Sequence, residues 1–178
     1  MRTAADDQLL RGYVDAARHG DDVALGRLVQ ATQAIVHRFC LNFSSFHEAD
    51  DLTQEVFIRA TRNIGKYRGD APVVSWLLSI ARFVCADQVR RNQRRARLTS
   101  RIRNERPLTT MPSSNLDLTS LVDALDPDRK MAFVLTQVIG LSYDEAAAAC
   151  ECPVGTIRSR VARARADLMD AVRSAQAV

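Results

Sequence analysis

GLSYDEAAAACECPVGTIRSRVARARADL, residues 140–168, decides how the rest of the chain is read. Gly140, Leu141 and Ser142 make a turn. Ser142 and Glu145 have the spacing of a capping box, in which two side chains satisfy free N–H groups at a helix start. The helix that follows, from Tyr143 to Cys150, is rich in alanine, which allows close packing. Cys152 and Pro153 break it. Proline suits the first turn of a helix, where its missing N–H would have no partner. Pro153 therefore opens a second helix, which carries Arg158, Arg160, Arg163 and Arg165. Helix, glycine-containing turn, short alanine helix, tight turn and basic helix make a helix-turn-helix pattern.

At about 100° per residue, Val154, Ile157, Val161, Ala164 and Leu168 fall on one side of the basic helix and form its core face. Gly155, Ser159, Ala162, Arg163 and Ala166 lie opposite, with Thr156 nearby. Arg158 and Arg165 flank one edge and Arg160 the other. Small residues around a central arginine suit entry into a major groove, where Ser and Arg reach base edges and flanking Arg meets phosphate. Thr156 and Gly155 sit in the first turn, where free N–H groups favour phosphate. The bland alternative is a solvated basic face, which the preceding helix-turn pattern disfavours.

Upstream, Leu118, Leu121, Val122 and Leu125 make one short helix face, and Asp126-Pro127 caps a helix with Met131, Phe133, Val134, Leu135 and Val138. Residues 96–115 contain Pro107 and Pro112 and no sustained period, so they read as a basic linker. Before it, apolar residues recur at helical spacing. They run Leu9, Leu10, Tyr13, Ala17; then Leu25, Leu28, Val29, Ile35, Val36, Phe39; then Ala49, Leu52, Val56, Ala60, Ile64. After the loop KYRGDA, residues 66–71, a fourth helix carries Val73, Trp76, Leu77, Ile80, Val84 and Val89. Trp76, beside Leu77 and Ile80, reads as core. The expected fold is all-α: two small helical domains, 1–95 and 116–178, joined by a flexible linker at 96–115.

Composition agrees. The 178 residues are 47% hydrophobic, enough for a core, and hold only seven Gly and five Pro. Residues 1–57 carry net −4, residues 58–115 net +10 and residues 116–178 net −2. A basic middle between acidic ends points to different partners for different parts. MRTAADDQLL lacks the apolar core of a signal peptide, and no apolar run approaches the roughly 20 residues of a membrane helix. A soluble cytoplasmic protein is expected, without membrane insertion. Cys40, Cys85, Cys150 and Cys152 show no CxxC pair and read as reduced thiols. His37 and Cys40 lack a second ligand pair, so no metal and no cofactor are expected.

The other informative stretch is DDLTQEVF, residues 50–57. Asp50, Asp51, Gln54 and Glu55 share a helix face. No histidine or third carboxylate stands at ligand spacing, so catalysis or metal binding is not indicated. The face is either solvated or a docking surface for Arg-bearing helices.

DDLTQEVFIRATRNIGKYRG (50–69) with VVSWLLSIARFVCADQVRR (73–91) resembles domain 2 of the bacterial RNA polymerase sigma factors of the extracytoplasmic-function, or group 4, type. LDPDRKMAFVLTQVIGLSYDEAAAACECPVGTIRSRVARARADL (125–168) resembles domain 4 of that family. The resemblance covers roughly 8–95 and 116–172. It implies a sigma factor rather than an enzyme: a protein that binds core RNA polymerase, recognises the −10 and −35 promoter elements and promotes DNA opening. It implies docking on the clamp helices of the largest polymerase subunit through Asp51, Gln54 and Glu55, with Phe57 and Ile58 nearby. Many housekeeping members have Asn where this chain has Phe57. It implies −10 recognition, on a melted strand with a flipped base, by Lys66, Tyr67, Arg68, Gly69 and Asp70, then Arg82, Asp87, Arg90 and Arg91. Tyr67 stands out there as a stacking candidate. It implies −35 recognition in duplex DNA by Arg158, Ser159, Ala162 and Arg163, with Thr156 in the first turn. Arg160 and Arg165 read as phosphate clamps or intradomain ion pairs. Many members are held by an anti-sigma factor, a further candidate partner.

Two other classes compete. An autonomous helix-turn-helix regulator explains the C-terminal domain but not DDLTQEVF or the basic middle. A hydrolase or nuclease using the acidic residues lacks a His- or metal-bearing constellation.

Overall fold

The computed structural model describes residues 4–103 and 118–176, and those residues form helices and turns without strands. The first group is α1 (Ala4–Arg18), α2 (Asp22–Cys40), α3 (Phe46–Asn63) and α4 (Val73–Arg103), with a 3-10 turn at Ile64–Lys66. The second is α5 (Leu118–Asp123), α6 (Pro127–Phe133), a π-helical turn at Val134–Val138, α7 (Tyr143–Cys150) and α8 (Val154–Gln176).

The sequence sets most helix ends. Gly20 takes a positive φ of 90° after α1, and the Asp21 carboxylate accepts from Ala24 N–H at 2.9 Å to start α2. Asp126 accepts from the N–H groups of Asp128 and Arg129 at the start of α6. At α7 the expected capping box is present: Glu145 N–H donates to Ser142 Oγ at 3.1 Å, and Ser142 N–H donates to Glu145 Oε2 at 2.7 Å.

α3 begins at Phe46, where Ser45 and Glu48 pair across the first turn. Ser45 donates to Glu48 Oε2 from its N–H at 3.1 Å and from its hydroxyl at 2.8 Å. Gln88 Nε2 of α4 donates to Glu48 Oε1 at 2.7 Å. These donors, the Ser45 backbone first, hold the Glu48 carboxyl down from 4.5 to about 2. A carboxyl depressed in the folded state stabilises it fully above pH 4.5, and that contribution fades as pH falls towards 2. Glu48→Gln is therefore expected to flatten the dependence of the melting midpoint on pH across that acid window. An unchanged slope would contradict the assignment.

The core of the first group is Leu28, Val36, Phe39, Val56, Val73, Leu77, Leu78 and Val84, each 2% exposed or less. Full burial of such side chains stabilises by about 1.5–3 kcal/mol each before the entropy of ordering is subtracted. In the second group Ala132, Leu135, Ala146, Ile157, Val161 and Ala164 are buried where α6 and α7 pack on α8. The alanines of α7 also let it lie against α4, so the two groups touch. Arg82 of α4 stands 3.7 Å from Glu151, and Lys130 Nζ lies 4.8 Å from the centre of the Phe43 ring.

One boundary differs from expectation. The linker was expected to be irregular from residue 96, but α4 continues through Arg103. Arginine favours helix, and Pro107 is the first residue after Pro72 that excludes it. The linker residues 104–115 lie outside the described residues.

Candidate nucleic-acid interface

The α7–α8 connection aims the basic helix. Glu151 is the only described non-glycine residue at positive φ, 53°. The N–H of Cys152 returns to Ala147 O and that of Glu151 to Ala148 O, which closes α7 with a left-handed cap usually supplied by glycine. α8 then buries Ile157, Val161 and Ala164. Gly155, Arg158, Ser159, Ala162, Arg163, Arg165 and Ala166 are exposed, and Thr156 is half-buried. The expected core and outer faces are those observed.

Hydrogen bonding sorts the arginines. Arg160 pairs with Asp128, and Arg165 donates to Gln137 Oε1 at 2.7 Å. Both tie α8 to α6 and the π-helical turn that continues it. Among the described residues, Arg158 and Arg163 have no ion-pair or hydrogen-bond partner. The Ser159 hydroxyl donates to Thr156 O at 2.9 Å, which leaves its oxygen free to accept. The outer face of α8 therefore offers two unpaired guanidinium groups around small residues, with no described element packed over it.

The basic loop is more ordered than its polar sequence suggests. Lys66, Arg68 and Asp70 are exposed, whereas Tyr67 is 5% exposed. The Tyr67 ring packs 5.1 Å from Trp76 and its hydroxyl donates to Ala71 O at 2.6 Å. Burial pushes the phenol pKa up. Tyr67 is thus a scaffold residue rather than the exposed stacking ring expected from its charged neighbours. Trp76 is half-buried against the core, in line with its expected packing role. Gly69 takes φ +82°, and a Cβ there would lie 3.0 Å from Arg11 Nη1.

On α4, Arg90 and Arg91 are exposed. Arg82 faces α7 and its pair Glu151, with its guanidinium 4.2 Å over the Phe83 ring. Asp87 stands between Arg90, at 3.4 Å, and Arg59, at 3.8 Å. An acid at a surface expected to meet DNA has its reason there: it orients the arginines on either side.

The DDLTQEVF helix presents two adjoining surfaces. Gln54, Phe57 and Ile58 line a shallow apolar groove with Val29 and Gln33 of α2. Ile58 is 45% exposed. Asp51 and Glu55 line a polar cleft towards Gln88 and Arg91, and Glu55 accepts from Arg59 Nε at 2.6 Å. Among the described residues no three His, Cys, Asp or Glu side chains gather as metal ligands. Cys40, Cys85 and Cys150 are buried free thiols and Cys152 is half-buried. No described helix is long and apolar enough to cross a membrane.

Two family models match the chain in order: sigma-70 region 2 over residues 28–95 and sigma-70 region 4 over residues 115–168. The chain belongs to the extracytoplasmic-function sigma factors. It is 41% identical over 172 residues to the ECF RNA polymerase sigma factor SigC of Mycobacterium tuberculosis, covering 94% of this chain and 93% of that one. It is 30% identical over 181 residues to the ECF RNA polymerase sigma-E factor of Escherichia coli, covering 93% of each. Among solved structures, CnrH in complex with the cytosolic domain of CnrY is similar at TM-score 0.71 and 26% identity, over 96% of this chain and 98% of that one. The sigma factor RpoE of Bartonella quintana, solved with the anti-sigma factor NepR, is similar at TM-score 0.66 and 25% identity, over 83% and 96%. As a sigma factor, the protein binds core RNA polymerase and recognises promoter DNA for initiation.

The sequence of this sigma factor did not point to Arg11 and Arg18 of α1, both of which bond to backbone of the basic loop. They lie 58 and 49 residues from the carbonyls they reach, in a helix whose charges look like a solvated face.

Proposed function

We propose that this sigma factor divides its work among three surfaces. The α3 face, with Gln54, Phe57 and Ile58 at the apolar groove and Asp51 and Glu55 at its acidic edge, docks on the clamp helices of the largest polymerase subunit. Lys66, Arg68 and Asp70, with Arg90 and Arg91 of α4, hold the melted non-template strand of the −10 element. Tyr67 and Gly69 shape that loop, Asp87 orients its arginine neighbours, and Arg82 acts from the α4–α7 contact. Arg158, Ser159, Ala162 and Arg163 read the −35 element in the major groove, with Thr156 at the phosphate backbone. Domains 1–95 and 116–178 work as a pair across the segment 96–115.

The observation that supports this reading is one chain holding both an exposed apolar groove, next to a polar cleft with Asp51 and Glu55, and an exposed outer face of α8 with two unpaired arginines. An operator-binding regulator has no use for the first. The protein acts by binding and not by catalysis, and it works where polymerase and promoters are, in the bacterial cytoplasm. An anti-sigma factor is a further partner, supported by the likeness to a sigma factor solved with one.

The test compares DNA retention by the chain alone and by the chain with core polymerase, on a library of duplex fragments. Sequence-selective retention is expected to rise strongly when core is added. Tight selective binding by the chain alone, unaffected by core, would favour the regulator instead.

A further inference from the structure

We infer that Arg11 and Arg18 of α1, braced by Asp7, are positioning residues that preset the loop reading the melted −10 strand, so that promoter selectivity is fixed partly by a helix that touches no DNA. The inference rests on the proposed role of that loop.

Four loop carbonyls are held from α1 or from within the loop, and they alternate. Arg18 Nη2 donates to Gly65 O at 3.1 Å and to Tyr67 O at 2.5 Å. Arg11 Nη1 donates to Gly69 O at 2.7 Å and its Nη2 to Ala71 O at 3.3 Å. Tyr67 Oη also donates to Ala71 O. The residues between, Lys66, Arg68 and Asp70, have exposed side chains. Among the described residues none of these three makes a hydrogen bond or ion pair. The anchored residues thus face the scaffold, and the unanchored ones are left for a ligand.

Asp7 completes the device. Its Oδ2 accepts from Arg11 Nε at 2.7 Å, which fixes the plane of the guanidinium. Its Oδ1 accepts from Val73 N–H at 2.8 Å, in the first turn of α4. One carboxylate therefore orients the arginine and caps the helix that follows the loop. Arginine suits the position of Arg11 because its planar, rigid fork aims Nη1 and Nη2 at two carbonyls while Nε meets Asp7, a fixed geometry that the compact lysine ammonium lacks. Gly69 fits as well: its positive φ brings its backbone close enough for Arg11 that a Cβ would crowd the guanidinium. A loop ordered before binding loses less entropy when it takes up a base.

The test uses holoenzyme assembled from core polymerase and the full chain. Its probe is a single-stranded DNA library randomised over six nucleotides and read by sequencing of the retained fraction. Arg11→Ala and Arg18→Ala are expected to lower base enrichment at the loop-read positions about five- to tenfold, the loss of one to two hydrogen bonds' worth of discrimination. Affinity for core should stay near that of the wild type, while the melting midpoint falls modestly as the loop carbonyls lose their donors. Arg11→Lys, which keeps the charge but loses the fork, should fall between, and it serves as the working variant if an alanine variant does not fold. Arg68→Ala and Asp70→Ala report on the loop itself.

If these loop variants flatten the preference while Arg11 and Arg18 variants keep it, the positioning role is wrong and the loop reading stands. If no variant changes the preference, the loop reading falls and the positioning role with it. Equal losses at every position, together with lower core affinity, would make α1 a general structural support and would also overturn the inference.

Discussion

Arg163→Ala is expected to reduce initiation at promoters with a matching −35 element by roughly 5- to 150-fold, the span of about 1–3 kcal/mol for a side chain that reads a base edge. Arg163 is exposed, lies opposite the buried Ile157–Val161–Ala164 stripe of α8, and has no partner among the described residues. Nothing in the fold is lost when it is shortened, so the melting midpoint should hold. The loss should also relax preference at one base pair rather than weaken all DNA equally. Arg160→Ala is the instructive contrast. Arg160 pairs with Asp128, so its removal should be felt in stability, with little change in sequence preference. Start-site yield on promoters differing only in the −35 element separates the two. A uniform loss for Arg163→Ala across all of them would make it a phosphate contact.

Ile58→Asp is expected to weaken association with core polymerase by roughly 30- to 1000-fold, or about 2–4 kcal/mol, the size of an interface hot spot. Ile58 is a large apolar side chain left 45% exposed at the rim of the groove formed with Val29 and Phe57. An aspartate there must either lose its hydration on docking or hold the partner off. Because Ile58 is partly exposed in the free chain, the same change should alter folding little. Labelled chain titrated into core polymerase reads the affinity. Unchanged affinity would place the docking surface elsewhere on the first helical group.

These two residues also mark how far the sequence could be read. Arg163 was assigned from angle alone, because α8 is regular and its apolar stripe is continuous. The DDLTQEVF surface was assigned by resemblance, but its division into an apolar groove and a polar cleft needed α2 and α4 in place. Local chemistry was legible at Ser142 and Glu145, where the capping box lies within one turn. It was less so at Ser45 and Glu48, whose pairing is completed by Gln88, 40 residues along the chain on α4.

Contacts made across the fold were not legible. Tyr67 sits among charged residues and reads as exposed, yet Trp76 gives it an aromatic neighbour and Ala71 a carbonyl. Arg82 reads as one more basic residue of α4 until α7 is seen against it. Arg11 and Arg18 find their acceptors far along the chain, at distances that no periodicity encodes. The extension of α4 to Arg103 is a different matter: arginine-rich sequence with no breaker is helix-compatible, and Pro107, Pro112 and the lack of a sustained period had suggested a tether from residue 96.

Whether this chain redirects polymerase is decided by transcript start sites. Core polymerase, with and without the chain, is supplied with a random promoter library, and the 5′ ends of the transcripts are sequenced. New start sites are expected that appear only with the chain and share two upstream elements. The one nearer the start should respond to Arg68→Ala and the distal one to Arg163→Ala. Start sites identical with and without the chain, despite tight binding of the chain to DNA, would contradict the proposed function.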